Sequence, residues 1–184
     1  MFLKVEETPN PNTLKFIPEK SLDFKGTRLF NKEDDFQDSD LLKTIFSVSG
    51  VESVLLNADF ISISKSNEED WQALKTILTA KIGTSLQKSI SLFESEKIEI
   101  NKPNEKISPV EKEIIELLET KVKPAVAGHG GDISFHSFKQ GVVTLELKGS
   151  CSGCPSSTAT LKMGIENMLK HYIPEVREVR PVEV

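Results

Sequence analysis

One stretch in the middle of the chain decides how the rest can be organised. Residues 91–107 (SLFESEKIEINKPNEKI) are rich in Glu, Lys and Asn, include a Pro, and sustain neither a helical nor a strand period. Such a segment is typical of a linker. On its two sides lie residues 1–90 and 108–184, and each part has the length of a small domain. The sequence therefore predicts two small domains joined by a flexible linker.

The first part mixes strand and helix patterns. Strand patterns cover residues 12–17, 51–56 and 60–64, and helical periodicities cover residues 41–48 and 69–86. The second and third strands are separated by Asn57-Ala58-Asp59, which favours a β-hairpin. We expect Gly50 to end the first helix. Residues 1–90 are thus predicted to form an α+β domain.

The second part shows the same mixture in another order. It opens with Ser108-Pro109-Val110-Glu111, a helix start with a capping serine, a proline and a glutamate three residues after the cap. We expect Pro124 to stop this helix. The next elements are a hairpin of residues 133–138 and 142–147, a helix after Pro155, and an edge strand within residues 175–184. This part is also predicted to be α+β.

Composition excludes several classes of function. A net charge of −5 argues against nucleic acid as a partner, because binding to the phosphate backbone normally requires a basic face. No apolar run approaches the roughly 18 residues of a membrane helix, and the first ten residues carry no export signal, so we expect a soluble protein without a membrane partner. No phosphate-binding or dinucleotide glycine loop, nucleophile elbow or paired catalytic carboxylates occur. We therefore do not expect an enzyme.

The chain has two cysteines, Cys151 and Cys154, in the sequence GSCSGCP. They fall between a predicted strand and a predicted helix. The two sulfurs are close enough to share a metal or to form a disulfide, and both functions require thiolate character. We expect the N-terminus of the helix near Pro155 to lower the thiol pKa values. Gly149 and Gly153 let the backbone approach a bulky inorganic group. The loop therefore suits an iron-sulfur cluster.

The ligand count adds a second chain to this hypothesis. An iron-sulfur cluster usually has four cysteine ligands, and one copy of the chain supplies two. Two copies would have to meet, each giving Cys151 and Cys154. A homodimer bridged by the cluster follows as a hypothesis.

These residues also carry a resemblance to a known family. Residues 109–181, with KPAVAGHGGDI and with GSCSGCPSS before a helix, closely resemble the NifU-like C-terminal domain of Nfu iron-sulfur scaffold proteins. Residues 1–90, with ETPNPNTLKFIP near their start, are similar to the N-terminal domain of the two-domain Nfu proteins. The resemblance implies a [4Fe-4S] cluster held between subunits by Cys151 and Cys154. It also implies an upstream cluster donor and transfer of the cluster to apo-client proteins.

Two alternative functions use the same cysteines. Thiol-disulfide exchange is the first, because redox proteins keep a CxxC pair between a strand and a helix. Against it, no tryptophan precedes the pair, and the predicted helix-hairpin-helix order lacks a βαβ unit. The second is a structural zinc site, which would need two further ligands from a second chain or from His129, His136 and His171.

Two residues of the HGGD stretch are interpreted as parts of a turn. A histidine in a glycine-rich turn, here His129, usually makes local hydrogen bonds, and an aspartate after two glycines, here Asp132, usually closes the turn. Neither is assigned to the cluster site.

The first domain contains no cysteine and is assigned to recognition of clients or of the donor. The linker, residues 91–107, would let the cluster domain swing toward its partner. For the location, we expect the bacterial cytoplasm first and the mitochondrial matrix as the alternative, in a processed form.

Overall fold

The computed structural model describes residues 3–24, 26–36, 38–88, 108–151 and 155–182, with only the backbone for residues 155–158. The chain forms two compact units, Met1–Lys97 and Ile98–Val184. Both units combine helices with a β-sheet, so the predicted α+β class is confirmed. The predicted linker, residues 91–107, lies outside the described residues and stays a prediction.

The first unit is built on a five-stranded antiparallel sheet. Its strands are β1 (Leu3–Glu7), β2 (Thr13–Pro18), β3 (Thr27–Asn31), β4 (Val51–Asn57) and β5 (Ile61–Lys65). They lie in the order β1-β2-β5-β4-β3. The three predicted strands correspond to β2, β4 and β5. Strands β1 and β3 escaped prediction because they lie at the two edges of the sheet, where charged and polar side chains obscure the alternation.

Two helices, α1 (Asp40–Phe46) and α2 (Trp71–Lys88), pack with this sheet around one apolar core. The Ser39 hydroxyl caps α1 by accepting from the Leu42 N–H at 3.3 Å. The expectation that Gly50 ends α1 is wrong. The helix ends four residues earlier, and Gly50, with φ of 86°, forms the turn into β4. The fully buried core side chains include Phe16, Phe30, Leu41, Leu42, Ile45, Ile61, Ile63 and Leu78.

The turn between β1 and β2, residues 8–13, is fixed by side-chain hydrogen bonds. The Thr8 hydroxyl accepts from the Asn10 N–H at 3.2 Å and bonds to the Thr13 carbonyl oxygen at 2.9 Å. From α2, the Trp71 indole N–H donates to the Pro11 carbonyl oxygen at 2.9 Å. Trp71 packs against the core and also anchors this turn.

The second unit begins with one helical run of three segments. They are α3 (Pro109–Leu117), a π-helical segment (Leu118–Val122) and α4 (Lys123–Gly128). The predicted helix start is confirmed: the Ser108 hydroxyl accepts from the Glu111 N–H at 3.2 Å, and the Glu111 carboxylate accepts from the Ser108 N–H at 2.8 Å.

The expectation that Pro124 stops this helix is wrong. The proline lies in the first turn of α4, and the helix continues to Gly128. In the π-helical segment the hydrogen bonds reach one residue further, since the Lys123 N–H donates to the Leu118 carbonyl oxygen. Pro124, which has no N–H, comes directly after this change in the hydrogen-bond pattern. It lies in the first turn of α4, where a helix tolerates proline.

A three-stranded sheet completes the second unit. Its elements are β6 (Gly131–Lys139), β7 (Val142–Gly149), helix α5 (Pro155–Tyr172) and β8 (Glu178–Pro181). The strand order is β6-β7-β8, with β6 antiparallel and β8 parallel to β7. The predicted hairpin, helix and edge strand are confirmed. The core includes Ile114, Ile133, Val143, Leu145, Ile165 and Leu169.

One argument from the sequence is wrong at this point. Strands β7 and β8 are parallel and α5 connects them, so β7-α5-β8 is a βαβ unit, which the sequence was expected to lack. The error arose because the short strand β8 was expected at the sheet edge with no direction assigned.

Among the helices of the described residues, none is long and apolar enough to cross a membrane.

Candidate functional site

Cys151 lies where β7 gives way to α5. Strand β7 ends at Gly149, and α5 starts at Pro155. The Cys151 residue is buried, with 7% of its surface exposed. Cys154 lies outside the described residues, so the arrangement of the two sulfurs stays a prediction.

Two glycine-containing segments meet beside Cys151. One is the turn after α4, in which Gly130 has φ of 75°, and the other is the end of β7, in which Gly149 has φ of 63°. The Ser150 N–H donates to the Gly130 carbonyl oxygen at 3.3 Å, and the Ser150 hydroxyl donates to the His129 carbonyl oxygen at 2.5 Å. The HGGD and GSC motifs, far apart in sequence, are therefore adjacent in the fold.

The sulfur of Cys151 lies directly against Gly131, the first residue of β6. Gly131 pairs with Gly149 in the sheet, which brings it next to the residues after β7. A Cβ atom placed on Gly131 would overlap Cys151 Sγ, and it would lie 3.2 Å from both the Cβ and the backbone N of Cys151. The missing side chain of Gly131 therefore creates the space that the sulfur occupies.

Burial raises the pKa of the Cys151 thiol to about 11. Loss of solvent around the sulfur is the main cause; a hydrogen bond with Ser150 opposes it, and the nearby Asp132 carboxylate adds to it. The expected lowering of this pKa by the helix N-terminus is therefore wrong for Cys151. The expectation considered only the effect of the helix on the thiol pKa, because the sequence does not show that the sulfur is buried.

Asp132 is a neighbour of Cys151 that the sequence did not assign to the site. It is buried in β6, and burial raises the pKa of its carboxyl, while Lys123, Lys148 and a hydrogen bond from the Ile133 backbone oppose that rise. Asp132 belongs to strand β6, whereas the sequence analysis expected it to close a turn. Only the pairing of β6 with β7 brings it near Cys151, and no local sequence signal reports that pairing.

The three histidines considered as zinc ligands are exposed: His129, His136 and His171. Across the described residues, no three His, Cys, Asp or Glu side chains are grouped so that they could hold a metal ion. The interpretation of His129 as a turn residue agrees with its backbone, because its carbonyl oxygen accepts the Ser150 hydrogen bond.

Two family models match the chain, one in each unit. Residues 3–89 match the model described as "Scaffold protein Nfu/NifU N terminal", and residues 114–180 match the "NifU-like domain". The second match contains Gly131 and Cys151 and both strands that bring them together.

Similar proteins carry related names. A human protein, NFU1 iron-sulfur cluster scaffold homolog, mitochondrial, is 42% identical over 99% of this chain and 72% of its own length. NifU-like protein 4, mitochondrial, from Arabidopsis thaliana is 39% identical over 97% of this chain, which spans 65% of the plant protein. A solution NMR structure of a NifU-like protein from Saccharomyces cerevisiae aligns with a TM-score of 0.48 at 26% identity, covering 52% of this chain and 87% of that one.

The names of the human and plant relatives bear on the location. Both are mitochondrial, so they support the mitochondrial alternative and give the bacterial cytoplasm no support. The identity to the human protein extends through both units and over most of each chain. With the two family matches, it establishes that this chain belongs to the Nfu/NifU family of iron-sulfur cluster scaffold proteins.

Proposed function

We propose that this chain carries [4Fe-4S] clusters, which two copies hold between them through Cys151 and Cys154 and release to apo-client proteins. The observation that carries the proposal is the position of Cys151 between β7 and α5, beside the glycines of two turns, in a member of a scaffold family. The cluster is the cargo of the protein, and no catalytic role is proposed.

The number of cysteines supports a cluster shared by two copies. Each chain has two cysteines, and an iron-sulfur cluster usually takes four thiolate ligands. A two-fold symmetric pair of chains would supply four from the same two positions. The cluster would then link the copies, and its removal would take away that link.

The surroundings of Cys151 suit an inorganic group. Gly130 and Gly149 carry no side chains in the two segments that meet beside Cys151, which lets the backbone there approach iron and sulfide. The raised pKa of the Cys151 thiol makes the proton a stronger competitor but does not prevent metal binding, because a bound metal ion deprotonates a coordinating thiol and compensates its charge. The proton goes to solvent when the iron-sulfur bond forms.

Transfer is a ligand exchange without a change of oxidation state. A client thiol loses its proton and binds a cluster iron, while the Cys151 thiolate leaves that iron and takes up a proton. The same exchange at the remaining ligands moves the intact cluster. The return of Cys151 to a buried thiol with a pKa of about 11 favours release, because the free thiolate is poorly stabilised there.

Thiol-disulfide exchange is the second candidate, and the unit β7-α5-β8 is the observation that favours it. It places the cysteine pair between a strand and a helix, as in redox proteins. The pKa of Cys151 opposes it, because an attacking thiol needs a substantial thiolate fraction near neutral pH. The cluster function has no such requirement before the metal binds.

We propose that the first unit recognises the cluster donor or the clients, and that the protein works in mitochondria. The first unit contains no cysteine and so cannot supply soft ligands. The mitochondrial names of the relatives support the location. The linker role of residues 91–107 belongs to the same proposal.

The test is anaerobic reconstitution of the full chain with ferrous iron and sulfide. We expect visible and Mössbauer spectra of a [4Fe-4S] cluster, at one cluster per two chains, and a dimer by mass in solution. Cys151→Ala and Cys154→Ala should each abolish the spectrum while the circular dichroism of the fold is retained.

His136→Ala is the matched control, because His136 is an exposed residue of the same unit that could serve a zinc site. It should bind the cluster as the wild type does. A colourless monomer that cycles between dithiol and disulfide would establish the redox function instead. A colourless protein that binds zinc, and loses it in His136→Ala, would establish the zinc site.

A further inference from the structure

Position 131 requires glycine because of the space that it leaves for the Cys151 sulfur, and not because of the conformation of its own backbone. Among the glycines with positive φ are Gly130 and Gly149, at 75° and 63°, and Gly131 is not among them. Its conformation is therefore open to any residue. What excludes a side chain at this position is the overlap with Cys151 Sγ.

The sulfur is inside the unit, although the proposed cluster lies between two copies. With 7% of its surface exposed, Cys151 offers little of itself to a second chain. A ligand that bridges two chains must reach the surface of each. The two states of Cys151 therefore need different positions of its sulfur.

Resting on the proposed function, we propose that Gly131 is a positioning residue for Cys151. The gap left by its missing side chain, the sulfur seat, keeps the metal-free thiol inside the unit, and the sulfur leaves this seat when a cluster binds. Two hydrogen bonds tie Ser150, the residue before Cys151, to the carbonyl oxygens of residues 129 and 130, so the change we propose is a rotation of the cysteine side chain.

Occupation of the seat protects the thiol before loading. Alkylation and oxidation need access to the sulfur, and burial of Cys151 withholds that access. The seat gives the metal-free protein an inert ligand without any additional group. Filling the seat with a methyl group should leave the sulfur outside at all times.

The experiment measures the alkylation of Cys151 in the reduced, metal-free full chain. Iodoacetamide labelling is followed by mass spectrometry of the peptides, so that Cys151 and Cys154 are read separately. In Gly131→Ala we expect Cys151 to react at least about tenfold faster than in the wild type, because thiol alkylation follows the exposure of the sulfur. Gly128→Ala is the matched control, since a Cβ there meets nothing within 4 Å, and it should react as the wild type does.

A folded Gly131→Ala chain with the wild-type rate at Cys151 overturns the proposal. If Gly131→Ala does not fold, the double variant Gly131→Ala/Cys151→Ala decides the question. Removal of the sulfur should restore folding if the sulfur occupies the seat. A double variant that is equally unfolded overturns the proposal, because the clash would then involve the Cβ and backbone of residue 151 and not the sulfur.

Reconstitution in parallel separates this inference from the proposed function. Gly131→Ala should load the same amount of cluster as the wild type, and faster, because its sulfur is already outside. A folded Gly131→Ala chain that reacts rapidly but loads no cluster, beside a wild type that does, overturns the claim that the sulfur leaves the seat. A colourless wild type with rapid alkylation in Gly131→Ala overturns the proposed function and leaves the seat standing.

Discussion

Two turns, one in each unit, are held in opposite ways. In the first unit, residues 8–13 are fixed by polar side chains, with the Thr8 hydroxyl and the Trp71 indole bonded to the turn backbone. In the second unit, the turn after α4 is held to the end of β7 mainly through backbone groups and glycines. The first turn fills its space with its own side chains, and the second leaves space that a sulfur occupies.

This difference shows what a glycine-rich turn provides at a site. Side-chain hydrogen bonds give a rigid turn but occupy its interior. Paired glycines let two chain segments approach each other and still leave room for a reactive group between them. A rigid recognition surface suits the first solution, and a ligand that must move suits the second.

The largest effects should come from the two cores beneath these turns. Phe30→Ala in the first unit is expected to lower the free energy of unfolding by about 3–5 kcal/mol, because it leaves a cavity at a fully buried site. Fluorescence of Trp71, the single tryptophan, during urea unfolding measures this loss. Iron content after reconstitution should stay unchanged.

Ile133→Ala in the second unit is the matched core variant, with an expected loss of about 2–5 kcal/mol. It should lower the iron content and leave the Trp71 transition in place. A loss of cluster binding in Phe30→Ala would contradict the proposed separation between a recognition unit and a cluster unit.

Glycines of the first unit should respond to substitution through their backbone. Gly50 has φ of 86°, and a Cβ on it would also overlap the Glu69 side chain, so Gly50→Ala should cost about 1–3 kcal/mol. Gly26→Ala, at φ of 82° with nothing within 4 Å, should cost only the conformational part of this. Urea unfolding of both variants gives the difference. Equal losses would show that the flexible Glu69 side chain moves aside freely.

Removal of one hydroxyl tests the side-chain turn directly. Thr8→Val keeps the shape of the residue and removes its hydrogen bonds in residues 8–13, for an expected loss of about 1–2 kcal/mol. Thr79→Val, which removes a single hydroxyl bond on the surface of α2, should be near neutral. A Thr8→Val chain as stable as Thr79→Val would contradict the view that side chains fix this turn.

The smallest effect should depend on pH and concerns a side-chain lock in the second unit. Hydrogen bonds from the Ser108 backbone and hydroxyl hold the pKa of the Glu111 carboxyl below its ordinary value of 4.5. Because the pKa of Glu111 is lower in the folded than in the unfolded chain, its carboxylate stabilises the fold at pH values above the unfolded pKa. This contribution is lost as the pH falls through the folded pKa. Glu111→Gln should therefore be less stable than the wild type by less than about 1 kcal/mol at neutral pH.

Hydrogen exchange of residues 109–128 at neutral pH and well below pH 4.5 measures this difference. The gap between Glu111→Gln and the wild type should close at the lower pH. A gap that is the same at both values would show that the carboxylate charge contributes nothing to the cap.

Much of the fold could be predicted because its signals are local. Hairpins, the capped helix start and the strand pattern of β2 each depend on a few adjacent residues. The edge strands β1 and β3 were missed because polar side chains on them hide the alternation. The passage of the helix through Pro124 was missed because a π-helical segment has no local sequence signature.

At the site, the two cysteines and the HGGD motif were recognisable, but their contact was not. The burial of Cys151, the raised pKa of its thiol and its neighbour Asp132 all depend on the pairing of β6 with β7. Distances across a sheet are set by register, and register is not written in either motif alone.

The π-helical segment sets the register of everything that follows it. Four buried side chains of this helical run are spaced four residues apart: Ile114, Leu118, Val122 and Val126. In a regular α-helix each step of four overshoots a full turn by about 40°, so the last of them would rotate away from the core. The wider turn at residues 118–122 absorbs that drift.

The π-helical segment contains one residue more than a regular α-helix would need between the same two flanking turns. Deletion of one residue there would restore a regular α-helix and keep α4 in place, whereas insertion of a further residue would rotate α4 and its C-terminal turn by about 100° around the helix axis. Gly131 would then no longer arrive beside Cys151. The sulfur seat thus depends on the number of residues in a helical segment that lies far from Cys151 in the sequence.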